Sequence, residues 1–328
     1  MPPSKLDGIL RKLPRIKDDN LLVDIDTMDD AGVYLVAPDL ALVQTLDFFF
    51  PAVNDPFDFG RIVAANSLSD VYAMGVVPRT AMNILAYPPA QIPAEMIEEL
   101  LKGGCDKLNE AEVTLLGGHT QEQETFLYGM SITGTARPQE VLTNAAARPG
   151  DSLILTKPIG TGVLCDAHNH DGLSEEDYKE LVDSMTRLNR YATETLRNFD
   201  VSALTDVTGF GLLGHLLPEV KNGSLSCTIM AEQVPFFTHV FDLMETYSPK
   251  GVGKSVGYVE PYLEVGDLVD PKKSKLLYEA QTSGGLLAAV KPEQAEEAVA
   301  ALREAGDKVA ALIGSFEQRC SSPWIRVV

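Results

Sequence analysis

The stretch Asn54 to Pro78, NDPFDFGRIVAANSLSDVYAMGVVP, decides how the rest of the chain is arranged. Asp55 is a suitable N-cap with Pro56 at the first helical position, and Gly75 followed by Pro78 is a typical stop signal. The stretch therefore predicts one helix of about five turns. Apolar residues cover nearly its whole circumference, which is typical of a helix buried inside a protein.

Two polar residues interrupt this apolar surface. Asn66 and Asp70 lie one turn apart on the predicted helix. A buried carboxylate without a partner is costly or gives up its charge, so we expect something cationic to meet Asp70. A structural salt bridge or a hydrogen bond between helices is an equally open interpretation of this helix alone.

Length and charge narrow the classes of function. The 328 residues can bury a large core and predict two domains. Lys and Arg number 27 against 47 Asp and Glu, a formal charge of -20. This balance argues against nucleic acid or an anionic membrane surface as a partner, and a polyanion such as ATP would need metal ions to bind.

The cysteines and the apolar runs indicate an intracellular protein. No two cysteines form Cys-x-x-Cys, so we expect reduced, buried thiols. They are Cys105, Cys165, Cys227 and Cys320. No apolar run approaches the roughly 18 residues of a membrane span, and the start has no signal-peptide core, so we expect a cytoplasmic location.

Carboxylates follow or precede several predicted strands. Four of them fall between Asp24 and Asp30, just before the strand at 32–36, and Asp47 ends the strand at 40–46. Pro38 and Asp39 join these strands as a hairpin. With Asp70, the two acidic groups could converge as hard oxygen ligands for Mg²⁺. Acidic loops without any ligand are common, so the spacing alone leaves both interpretations open.

Three glycine-rich segments accompany these acids. Gly117 and Gly118 end a strand and could offer amides to a phosphate, although His119 after them could be purely structural. Asp206 lies in ALTDVTGFGLLGH (203–215), where glycines predict close approach of another backbone or a ligand; Asp206 could equally cap the following helix. The segment 251–257 lacks Walker spacing and is interpreted as flexible.

Eight ordered stretches, taken together, resemble selenophosphate synthetases (selenide, water dikinases) over nearly the whole chain. They are 27–34, 47–49, 55–61, 66–75, 117–120, 155–160, 205–215 and 281–287. Other ATP-using enzymes of the aminoimidazole ribonucleotide synthetase-like superfamily share the acidic and glycine layout, but carry an acidic residue where this chain has His119. That difference favours the selenium enzyme.

The resemblance implies an α+β fold of two domains, like that of aminoimidazole ribonucleotide synthetase. Residues 1–148 would form the ATP- and metal-binding domain, which pairs with its copy in a homodimer through a shared β-barrel with ATP at the barrel edge. Residues 149–328 would form a C-terminal α/β domain. Pro149 and Gly150 are consistent with a boundary there.

The resemblance also implies the site residues and the reaction. The metal ligands would be Asp30, Asp70 and Asp206, holding Mg²⁺, with a monovalent cation as a further candidate. The nucleotide contacts would be Thr27, Met28, Asp29, Asp47, Asp70, Gly118, His119 and Thr120. The family is a phosphotransferase that converts ATP, selenide and water into selenophosphate, AMP and phosphate.

The chain departs from the family at two places. The family's catalytic cysteine or selenocysteine, and a lysine three residues later, would precede Met1. We hypothesise that the start was assigned downstream of a selenocysteine codon, and expect this polypeptide to bind Mg·ATP without making selenophosphate. The second departure is Lys254 and Ser255, where the family usually has Arg-Asn.

Two alternatives remain at this point. One is another ATP-using enzyme of the superfamily, a kinase or amidine-forming ligase, which a screen of thiamine monophosphate and formylglycinamidine substrates would reveal. The other is a catalytically silent nucleotide-binding paralogue, for which the upstream reading frame would contain no glycine-rich catalytic segment.

Overall fold

The computed structural model describes residues 3–10, 12–248, 250–320 and 322–328. The strands are β1 Leu21–Val23, β2 Gly32–Ala37, β3 Leu40–Phe49, β4 Val77–Tyr87, β5 Thr114–Glu122, β6 Leu127–Ala136, β7 Ser152–Leu155, β8 Val201–Asp206, β9 Leu225–Ile229, β10 Leu263–Val265, β11 Leu286–Val290, β12 Ala311–Gln318 and β13 Ile325–Val327. The α-helices are α1 Pro3–Leu10, α2 Pro56–Ala73, α3 Ala94–Glu110, α4 Thr161–His168, α5 Glu175–Thr186, α6 Arg190–Leu196, α7 Gly211–Asn222, α8 Val240–Leu243, α9 Val252–Val259, α10 Pro271–Leu276 and α11 Ala295–Glu304.

Helix α2 is the predicted central helix. Asp55 caps it, its side chain accepting a hydrogen bond from the backbone amide of Asp58 at 2.9 Å, and Pro56 occupies the first position. Every residue from Ile62 to Ala73 is buried. The reason is that α2 packs on β3 and β6 of the N-terminal sheet, on α3, and on α5, α6 and β8 of the C-terminal half. The prediction of a helix buried on nearly all sides is confirmed.

The N-terminal half contains one six-stranded sheet in the order β1-β2-β3-β6-β4-β5. The hairpin predicted at Pro38 and Asp39 joins β2 to β3, with Val33 opposite Val43 in the register. Alternation along these strands buries one face under α2 and leaves the other exposed. The sheet of this one chain is open at β1 and β5, so the predicted barrel would have to include a second copy.

The C-terminal half contains a mixed seven-stranded sheet in the order β10-β13-β9-β12-β7-β11-β8. Strand β8 lies at its edge, beside α2, and ends at Asp206. Gly211 begins α7 with a φ of 70°, and a Cβ there would lie 2.6 Å from the carbonyl oxygen of Glu279. The predicted close approach of another backbone at these glycines is therefore confirmed.

Four predictions of local structure are wrong. Strand β3 continues past Asp47 to Phe49, and β5 continues past Gly118 to Glu122. The other two concern 251–257 and the cysteines. The segment 251–257 forms most of α9, which packs on α7. Packing therefore stabilises a helix that glycine-rich composition disfavours. All four cysteines are free as expected, but only Cys165 and Cys227 are buried, and Cys320 is exposed. None of the helices in the described parts of the chain combines the length and apolar composition that crossing a bilayer requires.

Candidate metal centre

Five carboxylates line one cavity of about 180 Å³ where α2 and the two sheets meet. They come from four separate elements: the loop before β2, strand β3, helix α2 and the end of β8. The residues are Asp29, Asp30, Asp47, Asp70 and Asp206. The fold thus gathers acids that lie up to 177 positions apart in the sequence.

Neutral donors hold these carboxylates in place. Hydroxyl or amide groups from neighbouring elements donate one hydrogen bond to each acid. Thr205 donates to Asp30 at 2.8 Å, Asn66 to Asp47 at 2.8 Å, the amide of Asn144 to Asp29 at 2.7 Å, Thr45 to Asp70, and Ser69 to Asp206. A neutral donor orients a carboxylate without removing its charge, so the cluster still requires a cation.

Three oxygens in the cluster have no hydrogen-bond partner although they are buried. They are Oδ2 of Asp29, Oδ2 of Asp30 and Oδ1 of Asp206. Native proteins rarely leave such atoms unsatisfied unless an ion or water binds them. Carboxylate oxygens are also the ligands that hard divalent cations prefer, so the donor set fits such an ion.

Burial and mutual repulsion disfavour the charged forms of these acids. Burial, followed by the charge of Asp206, raises the pKa of Asp30 and of Asp70 well above the usual range. Burial raises the pKa of Asp206 to about 7, although its hydrogen bond from Ser69 acts in the opposite direction. A cluster of this kind is stable as anions only when positive charge is added.

The protein's own cations do not supply that charge. Among the described residues, no Lys, Arg or His forms an ion pair with Asp70, so the salt bridge considered from the sequence is absent there. Lys157 is buried nearby, but its Nζ donates to the carbonyls of Arg187 at 2.7 Å and Ser283 at 3.0 Å. Burial lowers the pKa of Lys157 to about 7.

His215 lies beside the acids, although the sequence did not single it out. One of its ring nitrogens and oxygens of Asp30 and Asp206 lie within 4.8 Å of one another. The backbone amide of Thr208 donates to Nε2 of His215 at 3.1 Å, and burial lowers the pKa of His215 to about 4. The imidazole is therefore neutral, and because Nε2 accepts this hydrogen bond, the proton lies on Nδ1, which can donate to a neighbouring acid but cannot bind a metal in this tautomer. The glycine-rich motif that ends at His215 was the only sequence signal for it.

Comparison with known proteins gives consistent results. The family model described as AIR synthase related protein, N-terminal domain, matches residues 28–136, and that of the C-terminal domain matches 148–322. The chain is 44% identical to selenide, water dikinase of Clostridioides difficile over 315 residues, 95% of this chain and 90% of that protein. It is also 44% identical to selenide, water dikinase of Pelobacter propionicus over 316 residues, 96% of this chain and 90% of that protein.

The chain belongs to the selenide, water dikinase family.

The resemblance stated from the motifs is thereby confirmed, as is the fold of two AIR synthase-related domains. A solved structure, hydrogenase maturation protein HypE in complex with ATP, has a TM-score of 0.67 at 20% identity, covering 98% of this chain and 85% of that one. At that identity the likeness supports the fold alone.

The residues that the family resemblance assigned to ATP fall into two groups in the structure. Met28, Asp29, Asp47 and Asp70 line the carboxylate cavity, and Thr27 directly precedes them. The second group, Gly118 to Thr120, lies on the edge strand β5. In the strand register, Gly118 pairs with Asn83, Asn83 with Met130, and Met130 with Asp47. Gly118 therefore lies three strand spacings, about 14 Å, from Asp47.

The same register assigns His119 to the opposite face of the sheet from Asp47. His119 pairs with Ile84, which pairs with Gly129, which pairs with Phe48. Phe48 is on the exposed face, whereas Asp47 accepts from Asn66 of α2 on the buried face. Within one chain, His119 and the carboxylate cavity therefore lie on opposite faces of the N-terminal sheet.

A second, larger cavity adjoins the metal centre. It has a volume of about 540 Å³ and shares Asp47, Thr208 and Phe210 with the carboxylate cavity. Its wall includes the mostly buried thiol of Cys165, and burial raises the pKa of that thiol to about 12. A thiol with so high a pKa is a poor nucleophile at neutral pH.

Proposed function

We propose that this protein is a selenide, water dikinase, which forms selenophosphate, AMP and phosphate from ATP, selenide and water. The observation that carries the proposal is the gathering of buried and half-buried, partly unpaired carboxylates in a chain that belongs to this family. The relatives named above support the reaction, and the carboxylate cavity supports the use of a metal-bound polyanion.

Asp30, Asp70 and Asp206 are the proposed metal ligands, with Mg²⁺ as the ion. A bound divalent cation would neutralise phosphate oxygens and stabilise charge that develops during phosphoryl transfer. Thr45, Thr205 and Ser69 hold the carboxylates in fixed orientations by donating hydrogen bonds to them. Their contribution is preorganisation, because a carboxylate already oriented needs no rearrangement when the ion binds.

The triphosphate is proposed to lie over this cluster, contacted by Thr27, Met28, Asp29, Asp47 and Asp70. A chain with a formal charge of -20 repels a polyanion unless cations accompany it, so nucleotide and metal should bind together. The adjoining cavity of about 540 Å³ is the proposed approach for selenide, since it reaches the cluster at Asp47.

The functional unit is proposed to be a homodimer formed by residues 1–148, with 149–328 as the C-terminal domain. The face of the N-terminal sheet opposite α2 carries large apolar side chains that are about half exposed. They include Tyr34, Val36, Leu46, Phe48 and Met82. A contiguous exposed apolar sheet face is typical of an interface, and β5 offers an unpaired edge beside it.

A second copy would also explain why Gly118, His119 and Thr120 lie apart from the cavity of their own chain. In the proposed dimer, these residues on β5 contact the nucleotide at the barrel edge between the two copies. The cytoplasmic location remains a prediction.

Phosphorus NMR tests the proposed reaction. The product of the whole natural gene is incubated anaerobically with ATP, Mg²⁺ and sodium selenide, and we expect selenophosphate, AMP and phosphate in equal amounts. Asp206→Asn should abolish all three products, whereas Asp200→Asn, on the exposed surface, should not.

Two results would overturn the proposal. Consumption of ATP with thiamine monophosphate or a formylglycinamidine, but not with selenide, would identify another enzyme of the superfamily. Tight binding of Mg·ATP by that natural gene product, without turnover of any substrate, would identify a silent paralogue.

A further inference from the structure

A cavity of about 520 Å³ lies between the two halves of the chain, away from the metal centre. It shares no lining residue with the carboxylate cavity. The turn after α2 and the start of β4 form one wall, and α6 with the start of β8 forms the other. Its volume falls in the range typical of small-molecule sites, about 300–1,000 Å³.

The walls combine apolar and polar groups, and two arginines line the cavity. Val77, Leu142, Phe199 and Leu204 represent the apolar part, which can cover a compact hydrocarbon or aromatic body. Arg79 comes from β4 and Arg197 from the end of α6, so each half of the chain contributes one guanidinium. This combination of apolar walls and a few polar groups is the usual composition of a ligand site.

Neither arginine is neutralised by the protein. Nε of Arg79 donates weakly to Oγ1 of Thr135 at 3.4 Å, and one terminal nitrogen of Arg197 donates to the carbonyl of Gly75 at 2.8 Å. No carboxylate of the described residues forms an ion pair with either of them. Both arginines are exposed, so water solvates their free donors, and an anion at the cavity can replace that water.

Glu140 is the only acidic residue that lines this cavity among the described residues, and it is engaged elsewhere. Its carboxylate accepts a hydrogen bond from the backbone amide of Arg137 at 3.4 Å and lies 3.9 Å from that residue's guanidinium. The two guanidinium groups at the cavity therefore keep most of their donors available. Arginine is the side chain best suited to bind carboxylate or phosphate by paired hydrogen bonds.

We propose that this cavity is a second ligand site, distinct from the ATP site, which binds a small amphipathic anion: one carboxylate or phosphate group on a compact apolar body. The anionic group would lie between Arg79 and Arg197, and the apolar body against Phe199 and Leu204.

The cavity also adjoins two elements that carry proposed metal ligands. Helix α2 carries Asp70 in its last turn, five residues before Gly75 of the cavity wall, and β8 carries Asp206 two residues after Leu204, which also lines the cavity. A ligand there would thus contact the elements that position the metal centre without contacting the metal centre itself.

Ligand-observed NMR titration tests the proposal. The probes are 1-naphthylacetate and 1-naphthyl phosphate, with neutral 1-naphthaleneethanol as the matched control, all in EDTA so that metal-dependent phosphate binding is removed. We expect at least one anion to bind saturably and at least about tenfold more tightly than the alcohol, since the charge-assisted bonds contribute strongly. The two anions distinguish a carboxylate site from a phosphate site.

Variants assign the binding to the cavity. Arg79→Gln and Arg197→Gln should each weaken the anion, and the double variant should bind it no better than wild type binds the alcohol. Arg326→Gln, a surface arginine on β13, should bind as wild type, as should Asp30→Asn. Arg79→Gln loses only one long hydrogen bond, so it is expected to remain folded even if the double variant is not.

Two outcomes would overturn the proposal. In one, neither anion binds more tightly than the alcohol. In the other, Arg79→Gln binds the anion with unchanged affinity.

Discussion

At the scale of single residues, the metal centre combines charges that repel one another with donors that cannot neutralise them. Asp206 is 1% exposed, leaves Oδ1 without a hydrogen bond, and has Asp30 and Asp70 as neighbours. Such a site lowers the stability of the metal-free protein, and binding of a cation should reverse that effect.

Replacing Asp206 by Asn should therefore raise stability when no metal is present. At pH 8.5 in EDTA, above the pKa of Asp206, we expect the Tm of Asp206→Asn to exceed that of wild type by about 2–4 °C, equivalent to about 1 kcal/mol. Calorimetry measures this shift. Asp206→Asn should also lose the rise in Tm that Mg²⁺ causes in wild type. The control Asp200→Asn should behave as wild type. A Tm of Asp206→Asn below that of wild type in EDTA would contradict the electrostatic interpretation.

The hydroxyl of Thr205 provides a second test at this scale. Thr205→Val keeps a β-branched side chain in β8 but removes the donor to Asp30, which lies 2.8 Å away. We expect Mg²⁺ to bind about tenfold more weakly, since groups that orient metal ligands typically contribute that much. Titration calorimetry gives the affinity. Thr195→Val is the control, because that hydroxyl donates to a carbonyl of its own helix; equal effects in the two variants would exclude a specific role.

At the scale of elements, the strongest local signals predicted the structure best. Asp55, Pro56 and Gly75 correctly predicted α2, and Pro38 and Asp39 correctly predicted the hairpin between β2 and β3. These signals act within a few residues, so they can be recognised without the tertiary structure. Helix α9 could not be predicted because its stability comes from packing on α7, which is distant in sequence.

The crossing of α2 and α3 depends on glycines from both helices. A Cβ at Gly103 would lie 1.9 Å from the carbonyl oxygen of Phe57, and a Cβ at Gly60 would lie 2.0 Å from that of Leu100. The helices touch backbone to backbone, so a methyl group must push them apart.

Gly103→Ala is accordingly expected to lower the free energy of unfolding by about 1–3 kcal/mol or more, as overpacking does. Urea denaturation followed by circular dichroism measures the change. The matched control is Gly257→Ala in α9, where nothing lies within 4 Å, and which should gain about 0.5–1 kcal/mol. Unchanged stability of Gly103→Ala would mean that the helices are not in such close contact.

At the scale of the whole molecule, the exposed face of the N-terminal sheet is the largest unexplained feature of a single chain. Met82 lies on that face, in the register row that contains Leu46, and is 47% exposed. A charge at this position would be buried against apolar groups in the proposed homodimer, at a cost that the interface could not compensate.

Met82→Glu should convert the protein from a dimer to a monomer. Sedimentation velocity is expected to give about twice the 35.5 kDa chain mass for wild type and the chain mass for the variant. Leu268→Glu is the control, because Leu268 is fully exposed outside the sheet and should leave the dimer intact. A monomeric wild type would contradict the proposed barrel.

The site was predictable only in part from the sequence. Spacing suggested that Asp30, Asp47 and Asp70 could converge, but the family resemblance was needed to include Asp206, because no local pattern connects residues so far apart. Thr45 and Ser69 carried no signal, since a hydroxyl becomes a donor to a site only when the chain has folded. The separation of His119 from the cavity follows from strand register, which the sequence did not define.

The central claim is that distant acids share a divalent cation that carries the nucleotide. Titration calorimetry with a non-hydrolysable ATP analogue tests it most directly, in Mg²⁺ and in EDTA, for wild type, Asp30→Asn, Asp70→Asn and the exposed control Asp39→Asn. We predict binding to wild type and Asp39→Asn in Mg²⁺ only, with at least about tenfold weaker binding to the other two variants. Equal affinity in EDTA, or undiminished binding to Asp30→Asn and Asp70→Asn, would contradict the account.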